Sequence, residues 1–208
     1  MIIETVNFWK INTIKISFIA LSFSVLLGCK AYQPTKELQA VFNLQELKDL
    51  ETIRTFFIKD IMDLKEEDFH LTFRSKIERL EASGFATISP KKIKQLFNSI
   101  SKSTFDEIWE IKKQKRSRNN EGSYEYFVPK RNSKYYDFLN RVTEHNSMVK
   151  QYYDTTIKAG DFNHSSMLKY TSDNTLDFDL KNTNVQIVMA IHYISICYEN
   201  NIANQLIY

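Results

Sequence analysis

The chain has 208 residues, of which 43% are hydrophobic and 25% are charged, with a formal net charge of +3. This composition is ordinary for a globular protein. With only 2 cysteines, the chain is not a disulfide-stapled scaffold. Its 4 glycines and 3 prolines mark few turns, so the composition favours long helices over many short strands.

The N-terminal segment has the layout of a secretory signal. Lys10 and Lys15 give it a positive start, an apolar run extends from Ile16 to Leu27, and Gly28 and Cys29 follow. The run is shorter than the roughly 20 apolar residues that a membrane-spanning helix needs. The alternative interpretation is a buried N-terminal helix that contains a chance cysteine.

The stretch Leu26-Leu27-Gly28-Cys29 resembles the lipobox of bacterial lipoproteins. The resemblance implies that residues 1–28 are cleaved off and that Cys29 is acylated. Each buried CH₂ of an acyl chain contributes about 0.8 kcal/mol, so several chains anchor a protein stably. In such proteins an Asp after the cysteine retains the chain at the inner membrane, so Lys30 implies the outer membrane. Surface-export signals tend to be acidic at this point, and Lys30-Ala31-Tyr32-Gln33 is not, which implies the periplasmic face. The predicted partner at this end is therefore the lipid bilayer, through acylated Cys29.

The remaining chain is predicted to be all-α. We expect a short membrane-proximal linker over residues 29–37 and one helical domain over residues 38–208. The domain is predicted to be a bundle of five to seven helices packed around a buried C-terminal helix.

Apolar residues at three- and four-residue steps predict four helices in the first half of the mature chain. On the first of them, Glu46, Asp49 and Glu51 are expected to face away from the apolar stripe. Gly84 is a helix stop and Ser89 an N-cap. The four helices are predicted to run from Leu38 or Leu44 to Leu64, from Glu67 to Gly84, from Pro90 to Ile100, and from Ser103 to Trp109.

A basic stretch from Lys112 to Arg118 comes next and leads into Asn119 and Gly122, which predicts an exposed, mobile loop. Tyr124–Val128 is rich in β-formers. Because a proline follows it at once and no partner strand is evident, it is predicted to be extended loop.

Two longer helices are predicted in the second half. One is capped by Ser133 and continues to Ala159, and the other runs from Val185 to Tyr198. The last helix is apolar on almost every side, which is typical of a buried central helix. Cys197 within it is predicted to be a buried small hydrophobe. A short helix, Asn163–Lys169, is expected between them.

Positive charge is concentrated in residues 91–134, which hold 12 Lys or Arg and 5 Asp or Glu. Basic residues among aromatics suit nucleic acid in the cytosol, but an exported lipoprotein rarely meets it. We therefore predict a protein partner or anionic lipid headgroups, and no nucleic acid. The alternative is a solvated loop that only aids solubility. The candidate binding residues are Lys112, Lys113, Lys115, Arg116 and Arg118.

No recognisable catalytic or metal-binding motif occurs in the sequence, so no cofactor or metal is predicted. The predicted function is a non-catalytic binding module of the cell envelope. It would be an immunity-type lipoprotein that neutralises an incoming toxin, or an accessory subunit of an envelope assembly. The alternative is a hydrolase acting on the cell wall or on lipids, in which His145, His164 or His192 would meet an Asp or Glu in an open pocket.

Overall fold

Side-chain caps start several of the helices. The oxygen of the Asn43 side chain accepts hydrogen bonds from the backbone N–H groups of Gln45 and Glu46, and the Glu46 carboxylate accepts one from the Asn43 N–H. This reciprocal capping box satisfies N–H groups that have no partner within the helix. Other helices begin after the side-chain caps Thr35, Ser101, Ser133 and Asn146.

A computed structural model describes residues 33–85, 88–115, 123–158 and 179–205. From Pro34 onward the described residues belong to one compact unit. Its helices are α1 (Lys36–Gln39), α2 (Leu44–Phe56), α3 (Phe69–Ala82), α4 (Pro90–Ser99), α5 (Lys102–Ile108), α6 (Lys134–Thr143), α7 (Ser147–Tyr152) and α8 (Thr183–Gln205). Two strands, β1 (Trp109–Lys115) and β2 (Ser123–Pro129), separate α5 from α6.

Short irregular turns extend some of these helices. A π-helical segment, Phe57–Ile61, continues α2, and another, Tyr153–Lys158, continues α7. A 3₁₀ turn at Glu66–Asp68 precedes α3. The expectation of a mainly helical fold is confirmed. Within the described ranges, no helix is long and apolar enough to cross a membrane.

The end of α3 confirms the predicted glycine stop. Gly84 has a φ of 59°, and its N–H donates to the Glu81 carbonyl at 2.8 Å. The Phe85 N–H reaches back to the Leu80 carbonyl at 2.9 Å. This pair of bonds is a Schellman motif, which needs a left-handed residue after the helix and therefore favours glycine. The turn directs the Phe85 side chain into the core.

The prediction that one helix runs from Ser133 to Ala159 is wrong. Ser133 caps α6 as expected, but α6 ends at Thr143, and Asn146 caps a new helix. The Asn146 side chain accepts from the backbone N–H groups of Met148 and Val149 at 3.1 and 2.9 Å. An Asn that bonds its own following backbone competes with a continuous helix, which explains the break.

The prediction that Lys112–Arg118 and Tyr124–Val128 are loops is also wrong where the structure describes them. β1 and β2 form an antiparallel hairpin in which Trp109 is opposite Pro129 and Lys115 is opposite Ser123. Lysine has a low strand propensity. The hydrogen bonds and side-chain contacts between the two strands compensate for it.

The core is centred on α8, whose residues from 185 to 197 are all buried. Tyr193 stacks on Phe57 with ring centroids 5.6 Å apart, and Phe73 and Phe85 lie beside it. Cys197 is buried with a free thiol, and burial raises its pKa to about 12. The thiol is therefore held protonated and unreactive at neutral pH.

Candidate functional site

The β-hairpin carries the described part of the predicted basic site. Its base is anchored by aromatic packing: Phe127 stacks on Tyr198 with centroids 3.6 Å apart, and Phe97 meets Trp109 edge to face. The Trp109 indole N–H donates to the Ser195 hydroxyl at 2.9 Å, which joins β1 to α8. The base of the hairpin is thus fixed to the core by both ring packing and a buried hydrogen bond.

One backbone hydrogen bond establishes which residues of β1 face its partner strand. The Lys130 N–H donates to the carbonyl of Ile108, directly opposite it in the hairpin register, at 2.9 Å. Hydrogen-bonded pairs alternate along an antiparallel ladder, so the next ones are Glu110 with Val128 and Lys112 with Tyr126. Pro129, which has no N–H, falls at a position outside this set, as the pattern requires.

It follows that the backbone groups of Ile111 and Lys113 point away from β2. Their N–H and C=O groups face the outer edge of β1, and within the described residues no other backbone group bonds them. β2 lies against α8, whereas β1 forms the outer side of the hairpin. Among the described residues, the outer edge of β1 therefore has no pairing strand.

The side chains along this edge are cationic and partly apolar. Ile111 is 50% exposed although its register partner Phe127 is buried. The Lys113 side chain is 69% exposed, and its ammonium lies 3.0 Å from the carboxylate of Glu125, the residue opposite it. The Lys112 ammonium lies 2.8 Å from the Glu110 carboxylate on the other face. Both ion pairs are exposed, so each contributes little to the stability of the fold.

The predicted binding residues are only partly described. Lys112, Lys113 and Lys115 lie on β1, while Arg116 and Arg118 lie outside the described residues. Cys29, the predicted lipidation site, also lies outside them.

Two other basic residues of the same region serve the fold instead. The Lys130 ammonium donates to the Asp106 carbonyl at 2.8 Å. The Lys134 ammonium donates to both carboxylate oxygens of Glu46, at 2.6 and 2.8 Å. These cations therefore contribute to joining elements of the domain, whereas Lys112 and Lys113 on β1 are exposed.

The histidines proposed for a hydrolase do not share a site in the described structure. His145 is exposed in the break between α6 and α7. His192 is fully buried on α8, with its Nδ1 3.4 Å from the Tyr152 hydroxyl. A fully buried ring cannot line the open pocket that such a site needs. His164 lies outside the described residues, and no cluster of potential metal ligands occurs among those described.

Sequence reasoning missed a buried carboxylate on α2. Asp49 was expected to face solvent but is buried. Its Oδ2 accepts from the Ser101 N–H at 3.0 Å and from the hydroxyls of Ser101 and Thr104, each at 2.6 Å. Burial acts to raise the Asp49 pKa, but these hydrogen bonds outweigh it and hold the pKa below its usual value. Asp49 thereby anchors the start of α5, which leads directly into β1.

Asp49 also explains why α5 begins earlier than the predicted start at Ser103. Ser101, rather than Ser103, is the N-cap, and its hydroxyl accepts from the Thr104 N–H at 3.2 Å. The partner that selects Ser101 is distant in sequence, so local spacing did not reveal it.

A second buried network surrounds Arg54. Its guanidinium donates to both oxygens of Glu51, to Glu66 at 2.9 Å and to Gln186 at 2.7 Å. Burial acts to lower the Arg54 pKa, but the carboxylates of Glu51 and Glu66 raise it above its ordinary value. The guanidinium N–H groups that make these bonds are thus paired with carboxylate and amide oxygens. A charge can be buried without a large energetic penalty only when it is paired in this way. The network joins α2 to α8.

Comparison with known proteins supplies no relative. No family model, curated protein or solved structure matches this chain.

Proposed function

We propose that this chain is a lipid-anchored protein of the bacterial envelope, held in the outer membrane on its periplasmic face through acylated Cys29. Its helical domain acts as a non-catalytic binding module. The observation that carries the proposal is the outer edge of β1, where exposed lysines and a half-exposed Ile111 lie on a hairpin fixed to the core.

The charge distribution supports a binding role. Residues 109–131 contain 7 Lys or Arg and 3 Asp or Glu, so this short region carries a net positive charge. Concentrated charge of one sign steers an oppositely charged partner and favours one orientation of encounter. The partner is an acidic protein surface or anionic lipid headgroups. An immunity-type lipoprotein and an accessory subunit of an envelope assembly both fit such a module.

The placement of the domain follows from the same proposal. Residues 29–37 are short, so they hold the domain close to the bilayer. In this proposal the helices form a bundle around α8; among the described elements, α8 contacts α2, α4 and β2. The hairpin is then available for a partner that is present near the membrane.

Replacing Cys29 tests the anchor. We expect Cys29→Ser to abolish incorporation of labelled fatty acid and to move the protein from the membrane fraction to the soluble fraction, because the thiol is the attachment atom. Cys197→Ser is the matched control and should keep both the label and the membrane fraction, since Cys197 is buried in α8. A Cys29→Ser protein that is still labelled would refute the anchor.

Removing the basic residues tests the binding surface. The binding partner is first isolated by affinity capture from an envelope extract with the unmodified chain. We expect a variant with Lys112, Lys113, Lys115, Arg116 and Arg118 changed to Gln to bind this partner about 10-fold or more weakly at low ionic strength. The control changes five other exposed basic residues to Gln, so that the net charge is the same in both variants. These are Lys36, Lys48, Lys65, Arg79 and Lys181. Equal loss in both variants would show that net charge alone matters and would contradict a site on the hairpin.

A further inference from the structure

We propose that the outer edge of β1 binds an extended, acidic peptide segment of a partner protein, which adds to the hairpin as a third strand. The inference rests on the proposed binding function and names its partner class. The pairing would use the N–H and C=O groups of Ile111 and Lys113.

The first support is the direction of these backbone groups. The hydrogen-bonded pairs of the hairpin place Glu110 and Lys112 towards β2, so Ile111 and Lys113 face outward. Their spacing of two residues is the spacing at which an antiparallel neighbour exchanges pairs of hydrogen bonds. Strand addition to such an edge is a recurrent way of recognising peptides, in which the backbone supplies affinity and alternate side chains supply specificity.

The second support is the incomplete apolar surface beside this edge. Phe127 is covered by Tyr198, yet Ile111 next to it on the same face of the sheet is half exposed. In a third strand, the residue directly opposite Ile111 would lie within about 5 Å between Cβ atoms. An apolar residue there would cover the exposed half of Ile111 and extend the packed face of the hairpin.

The third support is charge, which selects one occupant. Lys112 and Lys113 are exposed on opposite faces of β1. A second copy of this edge would set lysines opposite or diagonal to lysines, which is unfavourable. A strand with carboxylates opposite these positions would meet both ammonium groups. In that arrangement Lys113 would lie between the carboxylate of Glu125 and one from the new strand.

The register of the hairpin allows a substitution that blocks only this edge. Because the Lys113 N–H points outward, Lys113→Pro removes a donor from the edge and none from the β1–β2 ladder. Lys113→Gln is the matched control, since it removes the same charge and keeps the N–H. The probe is a synthetic peptide of about seven residues, a typical strand length, with Glu-Glu-Val at its centre and Thr elsewhere. When it runs antiparallel to β1, this order sets Val opposite Ile111 and the two Glu residues opposite Lys112 and Lys113. Its control is the same peptide with alternate backbone nitrogens methylated.

The experiment measures peptide binding by the full chain and its two variants, together with amide hydrogen exchange. We expect Lys113→Pro to bind about 3- to 10-fold more weakly than Lys113→Gln, as for one lost hydrogen bond. The methylated peptide should bind weakly to the unmodified chain. The peptide should slow exchange at the Ile111 and Lys113 amides. Unchanged exchange at the amides of Glu110 and Lys112 in the free Lys113→Pro variant would show that its hairpin is intact.

Other outcomes would overturn the strand-addition proposal. One is no binding of the Glu-Glu-Val peptide at up to about 1 mM. Another is equal binding of the methylated peptide, or of Lys113→Pro and Lys113→Gln, which would show that charge acts without strand pairing. A third is that vesicles containing anionic lipid bind the unmodified chain and the Lys113→Pro variant equally well, while the peptide binds neither. In the last two cases the basic hairpin would still be a binding surface, so failure here is distinguishable from failure of the proposed function.

Discussion

Replacing Phe57 by Ala is expected to lower the free energy of unfolding by about 4 kcal/mol. Phe57 is fully buried where the π-helical segment that continues α2 meets α8. Its ring stacks on Tyr193 at 5.6 Å and meets Phe69 edge to face at 5.9 Å. Truncation removes these contacts and leaves a cavity in the centre of the core. Chemical denaturation monitored by circular dichroism measures the loss.

The control for this change is Phe57→Leu, which retains most of the buried volume. We expect Leu to cost about 1.5 kcal/mol, because it fills the site but loses the aromatic stacking. A loss under about 1 kcal/mol for Phe57→Ala would mean that the site collapses around the smaller residue. It would also contradict the placement of Phe57 between Tyr193 and Phe69.

Asp49→Ala is expected to cost about 3 kcal/mol, because it leaves the half-buried donors of Ser101 and the buried hydroxyl of Thr104 without their shared acceptor. The effect should also reach the hairpin, since Asp49 anchors the start of α5 and α5 continues into β1. Faster amide exchange in β1 would accompany the loss of stability. Lys48→Ala, an exposed neighbour on the same helix, should change stability by less than about 0.5 kcal/mol.

The pH dependence of this contribution has a definite sign. The folded-state pKa of Asp49 lies below its ordinary value of 3.8. Its carboxylate therefore stabilises the fold fully above that value, and the contribution is lost as pH falls through the lowered pKa. The difference in stability between the unmodified chain and Asp49→Asn should be constant near neutral pH and should narrow below about pH 4. A difference that grew on acidification would contradict an ionised, hydrogen-bonded Asp49.

Local patterns in the sequence were enough for the helical character and several boundaries. Apolar spacing, the Ser133 cap and the Gly84 stop are signals within one or two turns, and the structure confirms them. The hairpin was missed because strand pairing is non-local. β1 contains lysines at alternating and adjacent positions, and neither strand indicates its partner. Residues that would normally signal a solvated loop lie in a strand because the opposite strand supplies their hydrogen bonds.

The buried charges were missed for a related reason. Glu46 and Asp49 lie on the polar side of the helical pattern, where solvent is the usual neighbour. Here their neighbours are Lys134, which follows 88 positions later, and Ser101, which follows 52 positions later. The capping box from Asn43 to Glu46 is a local sequence pattern that indicates a helix start, but it does not predict that Glu46 is buried.

The candidate site was predictable as a concentration of charge, but its geometry was not. The exposure of Lys112 and Lys113 is as expected for a basic run. Which of them directs its backbone outward depends on which pairs of the register are hydrogen-bonded, and the bond from the Lys130 N–H to the Ile108 carbonyl establishes that. A shift of one residue would exchange the two faces of the strand and turn the other lysine to the edge.

The hydrogen bond between Trp109 and Ser195 provides an optical reporter at the candidate site. The sequence contains 2 tryptophans, Trp9 and Trp109, and a chain beginning at Cys29 retains only the second. All intrinsic tryptophan emission of such a chain would therefore come from the first residue of β1, whose indole is buried against α8. A change in emission on adding a ligand would then report on the base of the hairpin without any label, and its absence in a titration would point to a binding event elsewhere.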